Sequence, residues 1–552
     1  MARRSNDSER IALNRVRASK AVVPEAEETG AFVRENTGLK KNASMLDAVA
    51  LNVSSMSAGA SLATIGSTMV VLPKVAGVNL VDASLIAFVL SIPQIIVYTM
   101  MTKRLPRTGG DYVWVSRTLG GRLGSALGFM GYTMRTLAYL ALIALSAVFA
   151  IGSVELFFDP SSRTALGLKL SGDIPGSNPL LQAGIAISIL AAIVAVNVLR
   201  PRLGYVLVSV LAILGMATLV LGIFVILGAG NAGVSSYVDS IGLSAGDANL
   251  TYSALASSYT GPSLDLSASL FVLPFFAMFI YPWLNAGPAV APEIRGPRGM
   301  RWNVPVASLI VMVLVTSGFA AMYYAGGYQF VTAALSNPAL VVGYSFNFWT
   351  LAMGVSSSRV IAWLLGIGWV LWVIAILAYG VIVESRYLFA QAFDRFLPEK
   401  VAYVNPRLGS PAVALLIELV VTGCFVAVGS VLYGGFKSLY GVVIASMIYF
   451  VFVGVAAVLH AMRKEKGSAK VVLSVSGALM AGAFVFVVYE FLANPTVWGT
   501  GATVMGIPGY SFAYLYVALS FLLGLGLYTF SKRTHGREGL NIDQAYEEIP
   551  PD

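Results

Sequence analysis

The sequence is dominated by apolar runs of about 20 residues, each long enough to cross a bilayer as a helix. Twelve such runs can be read along the 552 residues. They cover 45–73, 80–102, 123–152, 180–199, 203–228, 267–291, 303–326, 359–388, 411–433, 438–462, 470–493 and 510–531. Only 11% of the residues are charged, against roughly 25% in soluble domains. The predicted fold class is therefore an all-α polytopic membrane protein with twelve transmembrane helices.

The basic residues are distributed unevenly between the two ends of these spans. With a cytoplasmic amino terminus, most of the 36 Lys and Arg fall in cytoplasmic tails and loops. The exceptions are Lys74, Arg163, Lys169, Arg359 and Lys437 on the outer side and Arg135 within a span. By the positive-inside rule, we expect a multi-pass protein of the plasma membrane with both termini cytoplasmic. The basic residues would contact anionic lipid head groups, and no nucleic-acid partner is predicted.

Four segments are expected along the chain. Residues 1–44 mix basic residues with Glu and Asn and lack an apolar period, which predicts a disordered cytoplasmic tail. Residues 45–462 hold the first ten spans, 463–531 the last two, and 532–552 form a second cytoplasmic tail. The outer segment at about 229–266 is rich in Ser, Gly, Ala and Tyr. It is expected either to fold over the outer mouth of the protein or to be a solvated linker.

Residue types that carry catalysis or bind metals are scarce. Two histidines and one cysteine argue against a disulfide framework and a zinc site. The chain contains neither a His-Glu-x-x-His motif nor a nucleotide-binding Gly-x-x-x-x-Gly-Lys-Ser/Thr loop. No cofactor, no metal site and no enzymatic activity are therefore predicted, and a nucleotide-driven pump is disfavoured.

Two spans carry weak points at corresponding places. Small and hydroxyl residues occupy the middle of the first span, Ser57-Ala58-Gly59-Ala60-Ser61. The sixth span reads Ile280-Tyr281-Pro282-Trp283, and its proline should break the helix near Tyr281. Each weak point lies in the first helix of a five-span set, and two such sets would have opposite topology. This pattern is typical of an inverted-repeat transporter. Small residues also let helices pack closely, so spacing alone leaves both interpretations open.

Broken helices at mid-bilayer predict a binding site, because their free backbone groups are tolerated only in a protein-enclosed cavity. Helix amino ends attract anions, and carboxyl ends offer carbonyls to cations. Such a site suits a zwitterion, with its carboxylate near Gly59 and its ammonium near Ser57 and Tyr281. The predicted substrate-binding residues are Ser57, Ala58, Gly59, Ala60, Ser61, Arg135, Ile280, Tyr281, Pro282 and Trp283.

Several ionisable residues lie in or beside the spans. Arg135 should face the bundle interior, where it would contact a substrate carboxylate, act as a fixed cation, or pair with Glu418 or Glu490. Those two glutamates are also candidates for carrying a proton, although their helices are peripheral to the expected site. The remaining expectations concern helix ends: a network containing Glu384 and Arg386, and a helix start at Asp47.

Four short motifs occur in order along residues 45–433. They are Pro106-Arg107-Thr108-Gly109-Gly110-Asp111-Tyr112, Glu293-Ile294-Arg295-Gly296-Pro297, Ser385-Arg386 with Phe393-Asp394-Arg395-Phe396-Leu397-Pro398, and Pro411-Ala412. In this order they resemble the signatures of amino acid–polyamine–organocation (APC) permeases. The resemblance implies a leucine-transporter-like fold, a 5+5 inverted repeat, with two further C-terminal helices.

The resemblance also implies a secondary transporter that moves amino acids by alternating access. The alternatives are a transporter of another small organic solute, such as a polyamine or an organic anion, and a sensor of the same fold that does not transport. The first span has one true glycine where relatives usually have a Gly-x-Gly turn. The coupling ion, proton or sodium, stays open because the fifth span has no Lys and the eighth lacks the expected hydroxyls. The oligomeric state is not predicted.

Overall fold

The computed structural model describes residues 38–159, 166–172, 176–431, 441–499, 503–504 and 507–547. These residues are mostly helical, and their only strands are β1 (Thr503–Val504) and β2 (Ile507–Pro508), which pair antiparallel. Residues 1–37, most of the predicted amino-terminal tail, lie outside the described residues, as do Arg163, Lys437 and residues 548–552.

The helices of the first half are α1 (Met45–Met56), α2 (Ala58–Met69), α3 (Leu80–Arg104), α4 (Asp111–Leu119), α5 (Gly121–Gly128), α6 (Arg135–Phe158), α7 (Leu166–Leu170), α8 (Pro179–Leu199), α9 (Pro201–Ala245), α10 (Tyr252–Ser258), α11 (Leu266–Phe271), α12 (Leu273–Phe279) and α13 (Ala286–Ala289). Those of the second half are α14 (Pro297–Gly326), α15 (Tyr328–Ser336), α16 (Pro338–Gly343), α17 (Phe348–Gly354), α18 (Arg359–Phe393), α19 (Ala412–Val431), α20 (Ile444–Lys464), α21 (Gly467–Ala493), α22 (Pro495–Trp498) and α23 (Gly509–Arg537). A π-helical turn, Phe129–Met134, joins α5 to α6. Short 3-10 turns lie at Ala248–Leu250, Ala291–Glu293, Glu399–Ala402 and Gln544–Tyr546.

Within the described residues, eleven helical segments are long and apolar enough to cross a membrane. They are α1 with α2, α3, α5 with α6, α8, α9, α14, α18, α19, α20 with the turn before it, α21 and α23. Each overlaps one predicted span, while the predicted sixth span is represented by the shorter apolar segment Leu266–Phe279. The all-α polytopic class is therefore confirmed. Twelve spans in two inverted repeats remain a prediction.

The first span lies at the centre of the helix bundle and is the most buried of the eleven. Helix α1 packs against α9, α14 and α18, and one continuous apolar core surrounds it. Its start is stabilised by a capping box, in which the Asp47 amide donates to Ser44 Oγ and the Ser44 amide donates to the Asp47 carboxylate. Arg202 and Ser209, both from α9, also bind Asp47. The predicted helix start at Asp47 is confirmed.

The fifth span is longer than predicted, because α9 continues through a kink at Gly230 (φ 57°). The segment 229–266 is therefore largely helical. It packs on neighbouring loops: the Tyr252 hydroxyl donates to the last carbonyl of α14 at 2.9 Å. Lys74 Nζ lies 2.6 Å from the Asp265 carboxylate, and this contact lowers the pKa of Asp265. The segment is thus packed on the protein and is not a free linker.

Both weak points predicted from the sequence are interruptions of helices. Between α1 and α2, Ser57 adopts a left-handed conformation with φ 43° and ψ 53°. This interruption is shorter than the sequence suggested, because one left-handed residue is enough to redirect the helix, and residues 58–61 already form the first turn of α2. Between α12 and α13, residues 280–285 form a longer non-helical stretch around Pro282.

The end of the chain returns to the bundle. After α23, a short turn places Tyr546 beside α5, where the Ser125 hydroxyl donates to the Tyr546 hydroxyl at 2.9 Å. The guanidinium of Arg117 lies 5.2 Å from the centre of the Tyr546 ring. Asp543 binds Lys532, and this contact lowers the pKa of Asp543. Residues 543–547, in the predicted tail 532–552, are therefore docked on the helix ends.

We expect Gly477→Val to destabilise the contact between α20 and α21. A side chain at Gly477 would place its Cβ 2.7 Å from the Gly454 carbonyl oxygen, whereas a Cβ at Gly482 of the same helix meets nothing within 4 Å. Overpacking of this kind costs about 1–3 kcal/mol. Thermal unfolding in detergent should therefore give a lower Tm for Gly477→Val than for the control Gly482→Val. Equal Tm values would contradict the tight contact.

Candidate functional site

A cavity of about 150 Å³ lies beside the interruption of the first span. Its walls come from α2, α6, α18 and the end of α12. The lining residues are Ser57, Ala60, Ala63, Thr64, Tyr139, Leu142, Ile143, Ser146, Phe149, Ala150, Ser153, Phe279, Trp369 and Val373. We call the face of the bundle where α1 starts the amino-terminal face. The cavity lies on the other side of the interruption, toward the opposite face.

The two interrupted spans are joined at this cavity. Ser57 Oγ donates a hydrogen bond to the Phe279 carbonyl oxygen at 2.7 Å, and both residues line the cavity. Phe279 is the last residue of α12, so its carbonyl lies at a helix end that lacks the usual partners. The hydroxyl of the residue that interrupts one helix therefore satisfies the carbonyl at the interruption of the other.

The other predicted residues of the first span, apart from Ala60, are buried behind the cavity wall and stabilise the interruption. Ala58, Gly59 and Ser61 are buried and do not line the cavity. At Gly59, Trp349 Nε1 donates to the carbonyl oxygen at 2.8 Å. A Cβ at Gly59 would lie 2.6 Å from the Trp372 ring, so only glycine permits this close approach. Among the five residues predicted from this span, Ser57 and Ala60 line the cavity.

None of the four residues predicted from the sixth span lines the cavity. Ile280 is fully buried, and the Tyr281 hydroxyl turns toward α3, where it lies 2.8 Å from Ser84 Oγ. The Pro282 carbonyl accepts a hydrogen bond from Gln94 at 2.9 Å. Trp283 Nε1 donates to the Met278 carbonyl at 2.8 Å. The hydrogen bonds of these residues instead stabilise the non-helical stretch of the sixth span.

Arg135 is buried beneath the cavity. Its guanidinium carbon lies 3.8 Å from the Trp283 ring centre and 4.2 Å from that of Tyr139, which lines the cavity. Its Nε and Nη2 atoms have no hydrogen-bond partner among the described residues. Neither ion pair suggested by the sequence is present in that part of the chain, because Glu490 accepts from Asn494 and Glu418 has no partner. The cation is held by aromatic rings.

Hydroxyl groups supply the side-chain polarity of the cavity, and no Asp, Glu, Lys or Arg is among its described lining residues. Thr64 and Ser146 each donate to a carbonyl of their own helix, which leaves their oxygen lone pairs available. The Tyr139 hydroxyl makes no hydrogen bond within the described residues. The cavity can therefore hold a small ligand that carries no net charge.

The amino-terminal face is closed by buried polar contacts. At the start of α4, the Asp111 carboxylate accepts hydrogen bonds from Tyr98 and Tyr387, both at 2.5 Å, and from Tyr449 at 3.1 Å. These tyrosines come from α3, α18 and α20, so one carboxylate joins four helices.

Two ion pairs extend this closure. Glu293 and Arg386 form a bidentate pair at 2.8 and 2.9 Å, and the Tyr205 hydroxyl donates to Glu293 at 3.0 Å. Arg117 pairs with Asp394. The predicted network at Arg386 therefore exists, but its partner is Glu293. Glu384 does not join it, because both of its carboxyl oxygens are buried without a hydrogen-bond partner among the described residues.

Sequence reasoning missed most of the cavity lining. A pattern that predicts this lining was present in the third span. There Tyr139, Ser146 and Ser153 lie seven residues apart, with Leu142 and Ala150 between them. Such spacing places residues on one helix face. The contribution of Phe279 depends on a carbonyl, which every residue has, so side-chain identity could not reveal it.

A family model described as "Amino acid permease" matches residues 44–523. This range contains the cavity, both interruptions and the motif residues of the closed face. The match confirms the family resemblance inferred from the four motifs. No match to a curated protein was found.

We expect Glu293→Gln to destabilise the closed face, because it leaves the buried Arg386 without a counter-charge. Breaking a buried ion pair in this way costs about 3–5 kcal/mol. Thermal unfolding of the detergent-purified protein should show a clear fall in Tm. Glu538→Gln, at an exposed position after α23, is the matched control and should unfold like the wild type. An unchanged Tm for Glu293→Gln would show that the pair contributes nothing to this state.

Proposed function

Because the chain belongs to the amino acid permease family of the APC superfamily, we propose that it is a secondary transporter that moves amino acids across the plasma membrane by alternating access. Family membership and the eleven apolar helices make it an integral, multi-pass membrane protein, and the family implies a transporter of amino acids, not an enzyme. Both termini are proposed to be cytoplasmic, in keeping with the positive-inside distribution of its basic residues.

The observation that carries the proposal is the hydrogen bond from Ser57 to the Phe279 carbonyl, beside the cavity. Interrupted helices in a membrane are tolerated where they line an enclosed site. The amino end of α2 and the carboxyl end of α12 meet there. These ends carry opposite partial charges, so together they suit the carboxylate and the ammonium of one zwitterion.

We therefore assign substrate binding to Ser57, Ala60, Tyr139, Phe279 and Trp369, all of which line the cavity. The other residues predicted from the two spans act through backbone support. Arg135 lies behind Tyr139, so its charge acts on the site electrostatically and without direct contact.

The charge and size of the cavity favour a small neutral amino acid over the alternative substrates. A polyamine would require carboxylates, which the described cavity lining lacks, and its charge would be repelled by Arg135, which forms no ion pair among the described residues. An organic anion without an ammonium group would leave the carbonyl end of α12 without a partner. A volume of about 150 Å³ leaves room for a small side chain only.

The closed amino-terminal face indicates which conformation of the alternating-access cycle this structure represents. Asp111, Glu293 and Arg386 seal that face, while the cavity lies toward the opposite one. We interpret this state as outward-facing. Inward opening would then require these contacts to separate, and the Ser57 bond would let the first and sixth spans move together.

We predict that Ala63→Phe abolishes transport, because its ring would fill the cavity. The test is counterflow in proteoliposomes with labelled alanine, leucine, glutamate, lysine and putrescine. Wild type should exchange alanine best, and Ala63→Phe should reduce this exchange at least about tenfold, the equivalent of 1.4 kcal/mol in binding. Ala192→Phe, at an exposed position on α8, is the matched control and should retain wild-type exchange.

Other outcomes separate the alternatives. Binding of alanine without counterflow would indicate a sensor, and preferred exchange of putrescine would indicate a polyamine carrier. Equal loss of exchange in Ala63→Phe and Ala192→Phe would contradict the assignment of the cavity.

A further inference from the structure

Two carboxyl groups are buried in the described part of the bundle without a counter-ion. Glu384 on α18 and Glu418 on α19 are both fully buried. Among the described residues, none of their four carboxyl oxygens forms a hydrogen bond of ordinary geometry, and neither side chain forms an ion pair. The Thr136 hydroxyl on α6 lies beside the Glu384 carboxyl but carries no charge to balance it. A carboxylate in such a place costs several kcal/mol unless it is neutralised. Ionisable groups of this kind inside a membrane protein usually serve a function.

These carboxyl groups share their surroundings with Arg135, the buried cation beside the cavity lining. The Glu384 carboxyl is within electrostatic range of the Arg135 guanidinium and of the Glu418 carboxyl. Arg135 is also buried, and two of its nitrogens have no hydrogen-bond partner among the described residues. The three side chains come from three neighbouring helices, because α18 packs against both α6 and α19.

The other titratable groups facing this cluster do not neutralise it. Tyr132 from the π-helical turn and Tyr516 from α23 face Glu384. Tyr139 and Tyr379 face Arg135. A tyrosine carries no charge near neutral pH. Arg386 on α18 faces Glu418, but its charge is already balanced by Glu293. The cluster therefore contains one cation and two carboxyl groups, and it is neutral only when the two carboxyl groups hold one proton between them.

We propose that Glu384 and Glu418 form a proton-binding site that couples amino acid transport to a proton gradient. This inference rests on the proposed transport function and adds to it the identity of the driving ion. The proton belongs to the pair, because two interacting carboxyl groups titrate as a unit.

The link to the substrate site runs through Arg135. Trp283 covers the guanidinium, and this residue belongs to the interrupted stretch of the sixth span. Tyr139, whose ring also contacts the guanidinium, lines the cavity. A movement of the sixth span that takes Trp283 away deprives the cation of one of its two ring contacts. Arg135 can then pair with the carboxyl group that holds the proton. The O–H bond breaks, the proton passes to water, and the cluster is left with one guanidinium and two carboxylates. Its net charge of −1 favours rebinding of a proton before the cluster closes again.

Replacing either carboxyl group with its neutral isostere separates coupling from exchange. In Glu384→Gln or Glu418→Gln, the remaining carboxylate balances Arg135, so the cluster is neutral without a proton. Exchange requires only that the loaded carrier reorients, whereas gradient-driven uptake requires the proton to be bound and released. Glu490→Gln is the matched control, since Glu490 is also a buried glutamate but accepts a hydrogen bond from Asn494.

The experiment uses proteoliposomes loaded with the pH indicator pyranine and labelled alanine as the substrate. In wild type, an inward proton gradient should stimulate alanine uptake, and alanine added without a gradient should acidify the lumen. Both effects should fall at least about tenfold in Glu384→Gln and in Glu418→Gln, a change equivalent to 1.4 kcal/mol. Alanine counterflow at equal pH should persist in both variants, and Glu490→Gln should keep all three activities.

The outcomes distinguish this inference from the proposed function. Absence of counterflow in wild type would refute the transport function itself. Wild-type counterflow that is stimulated by sodium but not by a proton gradient would overturn only the proton site. This outcome is measured on the wild-type protein alone. Continued alanine-dependent acidification in both Gln variants would also overturn it. If a Gln variant does not elute as a monodisperse protein, the wild-type acidification measurement decides.

Discussion

A helix that is interrupted inside a membrane needs partners for backbone groups that lipid cannot hydrogen-bond, and this requirement organises the core of the protein. The partners are mostly side chains with an apolar body and a polar tip. The bonds are Ser57 to the Phe279 carbonyl, Trp349 to the Gly59 carbonyl, Gln94 to the Pro282 carbonyl and Trp283 to the Met278 carbonyl. Two neighbouring helices, α3 and α17, are thereby tied to the interrupted spans, and the cavity forms where the two interruptions meet.

The buried charges of the bundle differ in how fully they are bonded. Buried carboxylates with full sets of partners, such as Asp111 and Glu293, lie at the amino-terminal face and hold several helices together. By contrast, both carboxyl oxygens of Glu384 and Glu418 and two nitrogens of Arg135 lack hydrogen-bonding partners within the described chain. A fully bonded ion is stable in one arrangement, whereas an incompletely bonded one responds to small movements of its neighbours. Stability and responsiveness are therefore assigned to different side chains of the same bundle.

Much of this organisation was accessible from the sequence, because hydropathy and proline chemistry act locally. The spans, the interruptions near Ser57 and Pro282 and the burial of Arg135 were predicted. The direction in which each side chain points was not, because it depends on the rotation of each helix about its axis. Tyr281 therefore faces α3 instead of the cavity, and Arg135 is covered by Tyr139. The partner of Arg386 could not be deduced either, since Glu293 is 93 residues away in sequence.

The docked end of the chain has an energetic consequence for the whole molecule. The ring of Tyr546 fills the space that a side chain at Gly121 would need, since a Cβ there would lie 2.3 Å from the ring. Tyr546 also contacts Arg117, which pairs with Asp394 at the far end of α18. Any rearrangement that separates α5 from α18 must expose this aromatic surface to water. The contacts of this docked segment thus contribute to the free-energy difference between conformations. Their removal would change the populations of those conformations.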